Sequence, residues 1–324
     1  MGFIRINDLA DLPEQLQGCV VAIGNFDGVH RGHQSVLMKA LEKAEALGVP
    51  AIVLTFEPHP RSFFQPEKPV FRLSPAPVRA ALLSAIGFEG VIEHPFDVEF
   101  SGTSAADFVQ GTLLDTLNAK HVITGYDFHF GKGREGGPDY LKKASEQLGF
   151  GLSLVEAFHD EGAEVVSSSR IREFLEQGEI AQANGLLGYA YQVRGIVVKG
   201  KQLGRDLGYP TANLELPAET KLRHGIYAVR ARLEDGSLHD GVASYGRRPT
   251  FDNGEALLET FVFDFSGDLY GQEIDVHLYG WIRGEEKFDS VEALIQQMDK
   301  DSQEARAILG AFGPEQGTKP ILNG

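Results

Sequence analysis

The chain has 324 residues, of which 42% are hydrophobic and 23% are charged, and its formal net charge is −16. This length predicts about two globular domains, no apolar run is long enough to span a bilayer, and the acidic balance argues against a general nucleic-acid-binding protein. The single cysteine, Cys19, allows no intrachain disulfide and the first residues lack the apolar core of a secretory signal, so we expect a reducing, cytoplasmic setting.

In the first part of the chain, up to about residue 186, short β-rich runs alternate with helical stretches. We predict strands at residues 19–24, 51–56, 90–93, 121–125 and 152–157, and helices at residues 34–47, 75–86, 103–117, 138–148 and 169–177. This alternation is typical of a doubly wound parallel sheet that helices cover on both faces. Ligands bind such sheets outside the carboxyl ends of the strands.

The first of these strands leads into a glycine-rich turn that opens the first helix. Glycine lets the backbone approach a ligand closely, and a helix start offers unpaired N–H groups and positive dipole potential. His30 and His33 lie on one side of the first helical turn. They could simply cap the helix, but together with the glycines they predict a phosphate site, in which the imidazoles stabilise a transition state without a covalent intermediate. The candidate ATP-binding residues here are Gly24, Asn25, Phe26, Asp27, Gly28, His30 and His33.

Two further motifs follow predicted strand ends. Residues 55–60, TFEPHP, form a turn that prolines fix, and this turn is either a rigid loop or a binding segment. Residues 124–134, TGYDFHFGKGR, put aromatic rings that could stack on a ring system beside the cations Lys132 and Arg134, which could bind phosphate.

The same region contains a match to the dinucleotide-binding fingerprint GxGxxG. Gly131, Gly133 and Gly136 fit it, and Glu156 follows at about the expected distance. We disfavour this interpretation, because two bulky cations occupy the loop and the match falls late in the domain rather than at its first strand.

A serine- and arginine-rich motif, SSSRIR, occupies residues 167–172. Ser169 suits a helix N-cap, but capping explains only one of the three serines. Hydroxyls and a guanidinium at a helix start would hold triphosphate oxygens. Neither a P-loop, GxxxxGK followed by Ser or Thr, nor a Cys/His metal motif occurs in the sequence.

After Gly188 the pattern changes to short strands separated by turn residues. We predict strands at residues 191–199, 212–216, 227–233, 238–244, 257–265 and 273–279, and one closing helix at residues 290–309. This pattern is typical of a small antiparallel barrel or sandwich. We therefore expect an α/β domain at residues 1–186, an antiparallel β-barrel domain at residues 187–312 and a flexible tail at residues 313–324.

A second glycine-rich loop follows the first strand of this barrel. Its glycines and cations suit a polyphosphate, and the candidates are Gly200, Lys201 and Gly208. Thr211 and Asn213 alternate with apolar residues and so share one face of an extended segment. Both offer neutral oxygen ligands for Mg²⁺, which keeps water and substrate phosphates as its other ligands. The alternative is an ordinary loop at the barrel edge.

One carboxylate, Glu259, interrupts an otherwise apolar face formed by alternate residues of the fifth predicted strand. The other members of that face are Leu257, Phe261, Phe263 and Phe265. Burying an unpaired carboxylate is costly, so Glu259 is either paired with an arginine or functional. As a functional group it could accept the proton of an attacking alcohol.

These motifs together resemble the bacterial bifunctional riboflavin kinase/FMN adenylyltransferase family, also called FAD synthetases. The segments GNFDGVHRGH, TFEPHP, TGYDFHFGKGR and SSSRIR resemble its adenylyltransferase module, which has a nucleotidyltransferase fold. The resemblance implies that His30 and His33 act in nucleotide transfer and that Ser168 and Arg172 contact ATP. Ser169 stands where the family motif usually has threonine. The implied flavin-binding residues are Pro58, His59, Pro60, Asp127, Phe128 and Phe130.

The second half resembles the riboflavin kinase module of the same family. Its PTAN motif corresponds to residues 210–213, and the resemblance implies that Thr211 and Asn213 bind Mg²⁺ with ATP and that Glu259 is the catalytic base. Residues 246–251 match the flavin-side loop, which makes Arg248, Pro249 and Thr250 flavin-binding candidates. Phe261 stands where many relatives have histidine.

The expected function is bifunctional. The barrel would transfer the γ-phosphoryl group of ATP to riboflavin, giving FMN, and the first domain would transfer an adenylyl group to FMN, giving FAD and pyrophosphate. Flavins are then substrates and products, and Mg²⁺ accompanies ATP. Two alternatives stay open at this point: a nucleotidyltransferase that acts on another phosphorylated small molecule and has a regulatory barrel, and a flavin-binding protein without catalysis.

Overall fold

The computed structural model describes residues 2–199, 209–247 and 256–313. The chain forms two compact units, of which the first ends at Ser168 and the second begins at Ser169. The domain boundary near residue 186 and the separate tail stay predictions. In the described part of the chain, no helix has both the length and the apolar character needed to cross a membrane.

The first unit contains the predicted parallel sheet. Its strands are β1 (Ile4–Ile6), β2 (Val20–Ile23), β3 (Ala51–Glu57), β4 (Gly90–Pro95), β5 (His121–Gly125) and β6 (Gly151–Val155). They lie in the order β1-β4-β3-β2-β5-β6, and every neighbouring pair is parallel. The central strands are buried throughout, which explains their continuous apolar sequences. Strand β1 was not predicted, because three residues are too few to show an alternating pattern.

The helices of this unit are α1 (Arg31–Leu47), α2 (Pro60–Phe64), α3 (Ala76–Ile86), α4 (Val98–Ser101), α5 (Ala105–Asp107) and α6 (Pro138–Leu148). They follow the strands as expected, with two short helices, α2 and α4, added. The single helix predicted at residues 103–117 is instead α5 followed by a π-helical segment, Phe108–Thr116. Helix α1 buries Val36, Leu37, Ala40 and Ala44 as its spacing predicts, whereas Leu47, at its last position, is 46% exposed.

The second unit is a nearly closed antiparallel barrel with flanking helices. Its elements are α7 (Ser168–Gln177), α8 (Ile180–Leu187), β7 (Gln192–Ile196), β8 (Thr211–Glu215), β9 (Gly225–Arg232), β10 (Leu238–Arg247), β11 (Ala256–Val262), β12 (Glu273–Arg283) and α9 (Val291–Gly310). The strand order is β7-β12-β9-β10-β11-β8, and a bridge between Val198 and Asn213 brings the two outer strands together. Helix α8 was not predicted, whereas the barrel strands and the closing helix α9 are confirmed.

Candidate active sites

The turn between β2 and α1, residues 24–30, is held in an unusual conformation. Phe26, Gly28 and Val29 have φ angles of 46°, 88° and 38°. Left-handed backbone at residues other than glycine costs of the order of 1–3 kcal/mol each and persists only where the surroundings hold it. We call residues 24–30 the nucleotide turn.

Side chains from neighbouring elements hold the nucleotide turn. Thr55 and Arg79 each donate a hydrogen bond to the main-chain oxygen of Asn25, both at 3.3 Å. The N–H of Gly28 donates to the Ser74 hydroxyl at 2.7 Å, and Ser74 is fully buried. These bonds fix the backbone of the turn before any ligand arrives.

The two histidines meet at the start of α1. The Nδ1 atom of His30 accepts a hydrogen bond from the N–H of His33 at 3.2 Å, so His30 is the N-cap. The two imidazoles stack, with their centres 3.6 Å apart and their planes at 18°. A neutral His30 that accepts at Nδ1 carries its proton on Nε2, which is the donor that a phosphate oxygen requires. A Cβ at Gly32 would lie 3.2 Å from the His30 ring, so glycine leaves room for this pair.

A network of buried charges lies beside the nucleotide turn. Arg72 donates two hydrogen bonds to Glu57, at 2.8 and 2.9 Å, and a longer one to Asp27 at 3.4 Å. Arg79, whose side chain is fully buried, bonds Glu57 at 2.7 Å and Glu93 at 2.8 Å. Burial alone would raise the pKa of Glu57, but the hydrogen bonds and charges of the two arginines outweigh it and lower the pKa below its ordinary value.

The TFEPHP motif leads from the end of β3 into helix α2. His59 is the N-cap of α2 and accepts a hydrogen bond from the N–H of Arg61 at 3.1 Å. We call residues 58–60, for which flavin binding is predicted, the flavin segment. Aromatic rings near this segment contact one another edge to face, among them Phe56, Phe63, Phe96 and Phe100.

The aromatic residues after β5 have different surroundings. Phe130 is 8% exposed and packs against Phe108 and Tyr140 in the core. Phe128 is half-buried and stacks on Phe130, with the ring centres 5.6 Å apart, while Asp127 is exposed. Phe128 is therefore the more accessible of the two predicted stacking rings.

Two glycines of the GxGxxG match, Gly131 and Gly136, serve chain packing. A Cβ at Gly131 would lie 2.8 Å from the main-chain nitrogen of Ala105, and one at Gly136 would lie 2.6 Å from the Phe130 ring. Gly131 and Gly133 also have positive φ angles of 73° and 64°. These contacts and φ angles explain the three glycines without a dinucleotide-binding site. This agrees with the sequence-based preference against that fingerprint.

The two residues implied by the SSSRIR motif fall on either side of the division between the units. The Ser168 hydroxyl donates to the main-chain oxygen of Asp27 at 2.9 Å, so this serine reaches the nucleotide turn. Arg172 lies in helix α7 and belongs to the second unit. The contact of Arg172 with ATP stays a prediction.

A partly open cavity of about 270 Å³ lies between the barrel strands and helix α9. Its walls combine apolar groups with several carboxylates. The lining residues are Tyr209, Thr211, Ile226, Val242, Ser244, Glu259, Phe261, Arg283, Glu285, Glu286, Phe288, Leu294, Met298 and Asp301. Two sequence-predicted site residues, Thr211 and Glu259, therefore line one cavity, together with Phe261 from the same strand as Glu259.

Strand register puts the kinase candidates side by side. Glu259 on β11 lies directly opposite Asn213 on β8, and Thr211 lies opposite Phe261. Directly opposite residues of an antiparallel pair project from the same face. Ser244 on β10 lies opposite Glu259 on its other side. Sequence reasoning missed Ser244, because nothing local to its strand distinguishes it.

Asn213 fits a role as a metal ligand. The residue is 3% exposed, and its Oδ1 atom is buried without a hydrogen-bond partner among the described residues. A buried amide oxygen without a partner is costly, and a hard cation such as Mg²⁺ would satisfy it. No group of three or more His, Cys, Asp or Glu side chains suited to a metal occurs in the described part of the chain.

The alternating face around Glu259 is shorter than the sequence suggests. Alternation of half-buried and buried residues holds throughout β11, which ends at Val262. Phe263 does not line the cavity: it is buried in a cluster with Ala305 and Leu309 of α9, against which Phe261 of the cavity wall packs. The backbone leaves the strand geometry at Asp264, whose φ angle is 55°.

A buried ion pair forms another wall of the cavity. Arg283 at the end of β12 donates two hydrogen bonds to Asp301 of α9, at 2.8 and 2.6 Å. Gln297 also donates to Asp301 at 2.9 Å. Tyr209 donates to Asp299, and burial together with this carboxylate raises its pKa to about 12. The sequence pattern does not predict these residues, because their partners are distant in the chain.

Several predicted site residues cannot be placed. Gly200, Lys201, Gly208, Arg248, Pro249 and Thr250 lie outside the described residues. Their roles stay predictions.

Comparison with known proteins finds two family models that match successive parts of the chain. Residues 12–170 match the family model described as FAD synthetase, and residues 187–309 match the one described as riboflavin kinase. The bifunctional riboflavin kinase/FMN adenylyltransferase of Haemophilus influenzae is 39% identical over 306 residues, which cover 94% of this chain and 99% of that protein. The protein of the same name from Escherichia coli K12 is 36% identical over 315 residues, with 97% and 100% coverage.

One solved structure shares the fold over nearly the whole chain. It is a crystal structure described as a macrolide-efflux protein from Streptococcus pneumoniae. The TM-score is 0.82 and the identity 32%, with coverage of 94% of this chain and 99% of that one.

Proposed function

The chain belongs to the family of bifunctional riboflavin kinases/FMN adenylyltransferases, and we propose which of its residues perform each reaction. Riboflavin phosphorylation is assigned to the barrel and adenylyl transfer to the first unit. The observation that carries the assignment is that each unit has its own candidate site: the nucleotide turn with its stacked histidines in one, and the predicted ATP ligand Asn213 directly opposite the predicted base Glu259 in the other.

In the kinase step, Glu259 is the general base. The 5′-hydroxyl of riboflavin is neutral and a poor nucleophile until its proton is accepted, and a carboxylate on the cavity wall can do this. The flavin ring would occupy the apolar part of the cavity, beside Phe261, Leu294 and Met298. The hydroxyl would then point towards Glu259.

Thr211 and Asn213 would hold Mg²⁺ together with the phosphates of ATP. When bound, the ion neutralises charge that develops on the transferred phosphoryl group. The buried Oδ1 atom of Asn213 supports this role. Since Asn213 lies directly opposite Glu259, the base and the phosphates would meet at one point of the cavity wall.

In the adenylyl step, the phosphate of FMN attacks the α-phosphorus of ATP. A phosphate is already ionised and needs no strong base, so the work of the site is to position two anions and to stabilise the charge of the leaving pyrophosphate. His30 and His33 would donate to those phosphate oxygens, and the nucleotide turn would bring backbone close to them. Pro58, His59, Pro60, Asp127 and Phe128 would contact the flavin, with Phe130 behind Phe128.

Product analysis tests the assignment as a whole. The chain is incubated with riboflavin, ATP and Mg²⁺, and flavins and nucleotides are separated by chromatography over time. We expect FMN and ADP first, then FAD and pyrophosphate. Unchanged riboflavin together with adenylylation of a different phosphorylated compound would contradict the kinase assignment. A cytoplasmic location stays a prediction.

A further inference from the structure

We propose that Arg72 is a positioning residue for FAD formation, which couples the nucleotide turn to the flavin segment. The inference rests on the proposed function of these two segments. Its starting point is that one guanidinium bonds a carboxylate of the nucleotide turn and the carboxylate that directly precedes the flavin segment, although the two segments follow different strands of the sheet.

Arg72 bridges the two segments directly. Its guanidinium bonds both oxygens of Glu57, at 2.8 and 2.9 Å, and Glu57 immediately precedes Pro58 of the flavin segment. The same group donates to Asp27 inside the nucleotide turn at 3.4 Å. The Arg72 side chain is only 14% exposed and that of Asp27 only 2%, so little water can replace this bridge.

The nucleotide-turn end of the bridge leads towards the histidines. Besides Arg72, Asp27 Oδ1 accepts a hydrogen bond from the N–H of Ser74 at 3.0 Å, and the Ser74 hydroxyl accepts one from Gly28. Gly28 has a positive φ angle and stands two residues before His30. A shift of Asp27 would therefore move the backbone that leads to the first imidazole.

The other end of the bridge is anchored to the sheet. Arg79 bonds Glu57 from a second side, bonds Glu93 of the next strand, and donates to the main-chain oxygen of Asn25. Glu57 thus cannot move without disturbing both arginines. Because each arginine contacts both Glu57 and the nucleotide turn, ordering of one segment orders the other.

The geometry requires arginine rather than any cation. A planar guanidinium can donate two parallel bonds to one carboxylate and a third bond elsewhere, whereas an ammonium is a point charge without this fork. Lysine at position 72 would keep the positive charge and lose the bridge. Glutamine would lose both and leave two carboxylates with one compensating charge fewer.

The test measures coupling between the two substrates. Flavin fluorescence gives the Kd of FMN with and without an ATP analogue that cannot transfer its adenylyl group, in the parent protein and in the Arg72→Lys and Arg72→Gln variants. We expect the analogue to tighten FMN binding by about tenfold in the parent, within the usual range of coupling between sites. This coupling factor, which is the ratio of the FMN Kd without the analogue to the Kd with it, should fall close to one in both variants.

Two controls separate coupling from damage to the fold. Arg5→Gln removes an ion pair to Glu93, 2.7 Å long, at the edge strand β1, far along the network from Asp27, and should keep the parent's coupling factor. Riboflavin phosphorylation by each variant, which uses the barrel, should also equal that of the parent. A merely structural role for Arg72 would weaken both ligands and leave their coupling unchanged.

The inference is overturned if the parent shows no coupling, or if Arg72→Gln keeps the parent's factor. Failure of the proposed function gives a different result: a His33→Ala variant would then still form FAD at the parent's rate. If His33→Ala stops FAD formation while Arg72→Gln keeps the coupling, the site assignment stands and only the role of Arg72 is wrong.

Discussion

The two units use the same co-substrate in opposite electrostatic surroundings. The nucleotide turn offers backbone N–H groups and two imidazoles, and the arginines beside it are paired with carboxylates, among them Asp27 of the turn itself. The barrel cavity instead exposes carboxylates, including Glu259, Glu285 and Glu286. This difference follows the nucleophile: an ionised phosphate needs donors and cations, whereas a neutral hydroxyl needs a base. If each unit has the chemistry that its nucleophile requires, substitutions in the two units should affect different reactions.

The largest effect is expected at Glu259. A positioned general base contributes roughly 10²–10⁴-fold, so Glu259→Gln should slow riboflavin phosphorylation by about that factor. The same variant should convert supplied FMN to FAD at the normal rate. Both rates come from chromatography of the products. A normal rate of phosphorylation by Glu259→Gln would show that Glu259 is not the general base.

The reverse pattern is expected at the histidines. Loss of one preorganised donor to a transition-state oxyanion costs about 10²–10³-fold, so His33→Ala should let FMN accumulate without FAD. His30→Asn removes the other imidazole but keeps a side chain that suits an N-cap, which separates the chemical role from capping. If His30→Asn forms FAD normally, capping is the whole role of His30.

A smaller effect is expected at Asn213. Loss of one oxygen ligand worth about 1.4 kcal/mol would raise the Mg²⁺ concentration for half-maximal phosphorylation about tenfold in Asn213→Ala. Thr260→Val is the matched control. The Thr260 hydroxyl is also buried without a partner among the described residues, but it belongs to the core-facing set of β11 residues. Equal Mg²⁺ dependence of the two variants would show that Asn213 is not a ligand.

The smallest effect concerns the stability of the first unit. The arginines lower the pKa of Glu57 below its ordinary value of 4.5, so its ionised form stabilises the fold above that value, and this contribution disappears as the pH falls through the lowered pKa. Glu57→Gln should therefore lower the opening free energy of β3 at neutral pH by about 1–3 kcal/mol, and the difference should shrink in acid. Hydrogen exchange of the β3 amides measures this opening free energy without a contribution from the barrel. A difference that grows in acid would contradict the assigned charges.

Local sequence signals recovered most of the architecture. The apolar runs of β2 to β5 and the spacing in α1 reflect burial that each element shows by itself. The alternation in β11 likewise identified Glu259 as the carboxylate on the cavity-facing side. The π-helical segment after α5 was missed, because its buried residues Phe108, Val109 and Leu113 also suit an α-helix.

The supporting parts of both sites could not be predicted. Glu57 ends β3, Arg79 lies on α3 and Arg72 lies in the loop before α3, so the three side chains meet only in the folded domain. Likewise, Arg283 on β12 bonds Asp301 on α9, which lies 18 residues further along the chain. Local periodicity does not reveal which distant residues will pair. A glycine-rich turn before a helix can be recognised, because the residues that form the site are consecutive in the sequence.

Complementation between two variants tests most directly that the chain holds two independent active sites. Glu259→Gln and His33→Ala are each incubated with riboflavin, ATP and Mg²⁺, alone and mixed, and FAD is measured by chromatography. We predict FMN without FAD from His33→Ala, almost no product from Glu259→Gln, and FAD from the mixture. A mixture that forms no FAD while FMN accumulates, a folded His33→Ala variant that forms no FMN, or a folded Glu259→Gln variant that does not convert supplied FMN to FAD would contradict the account.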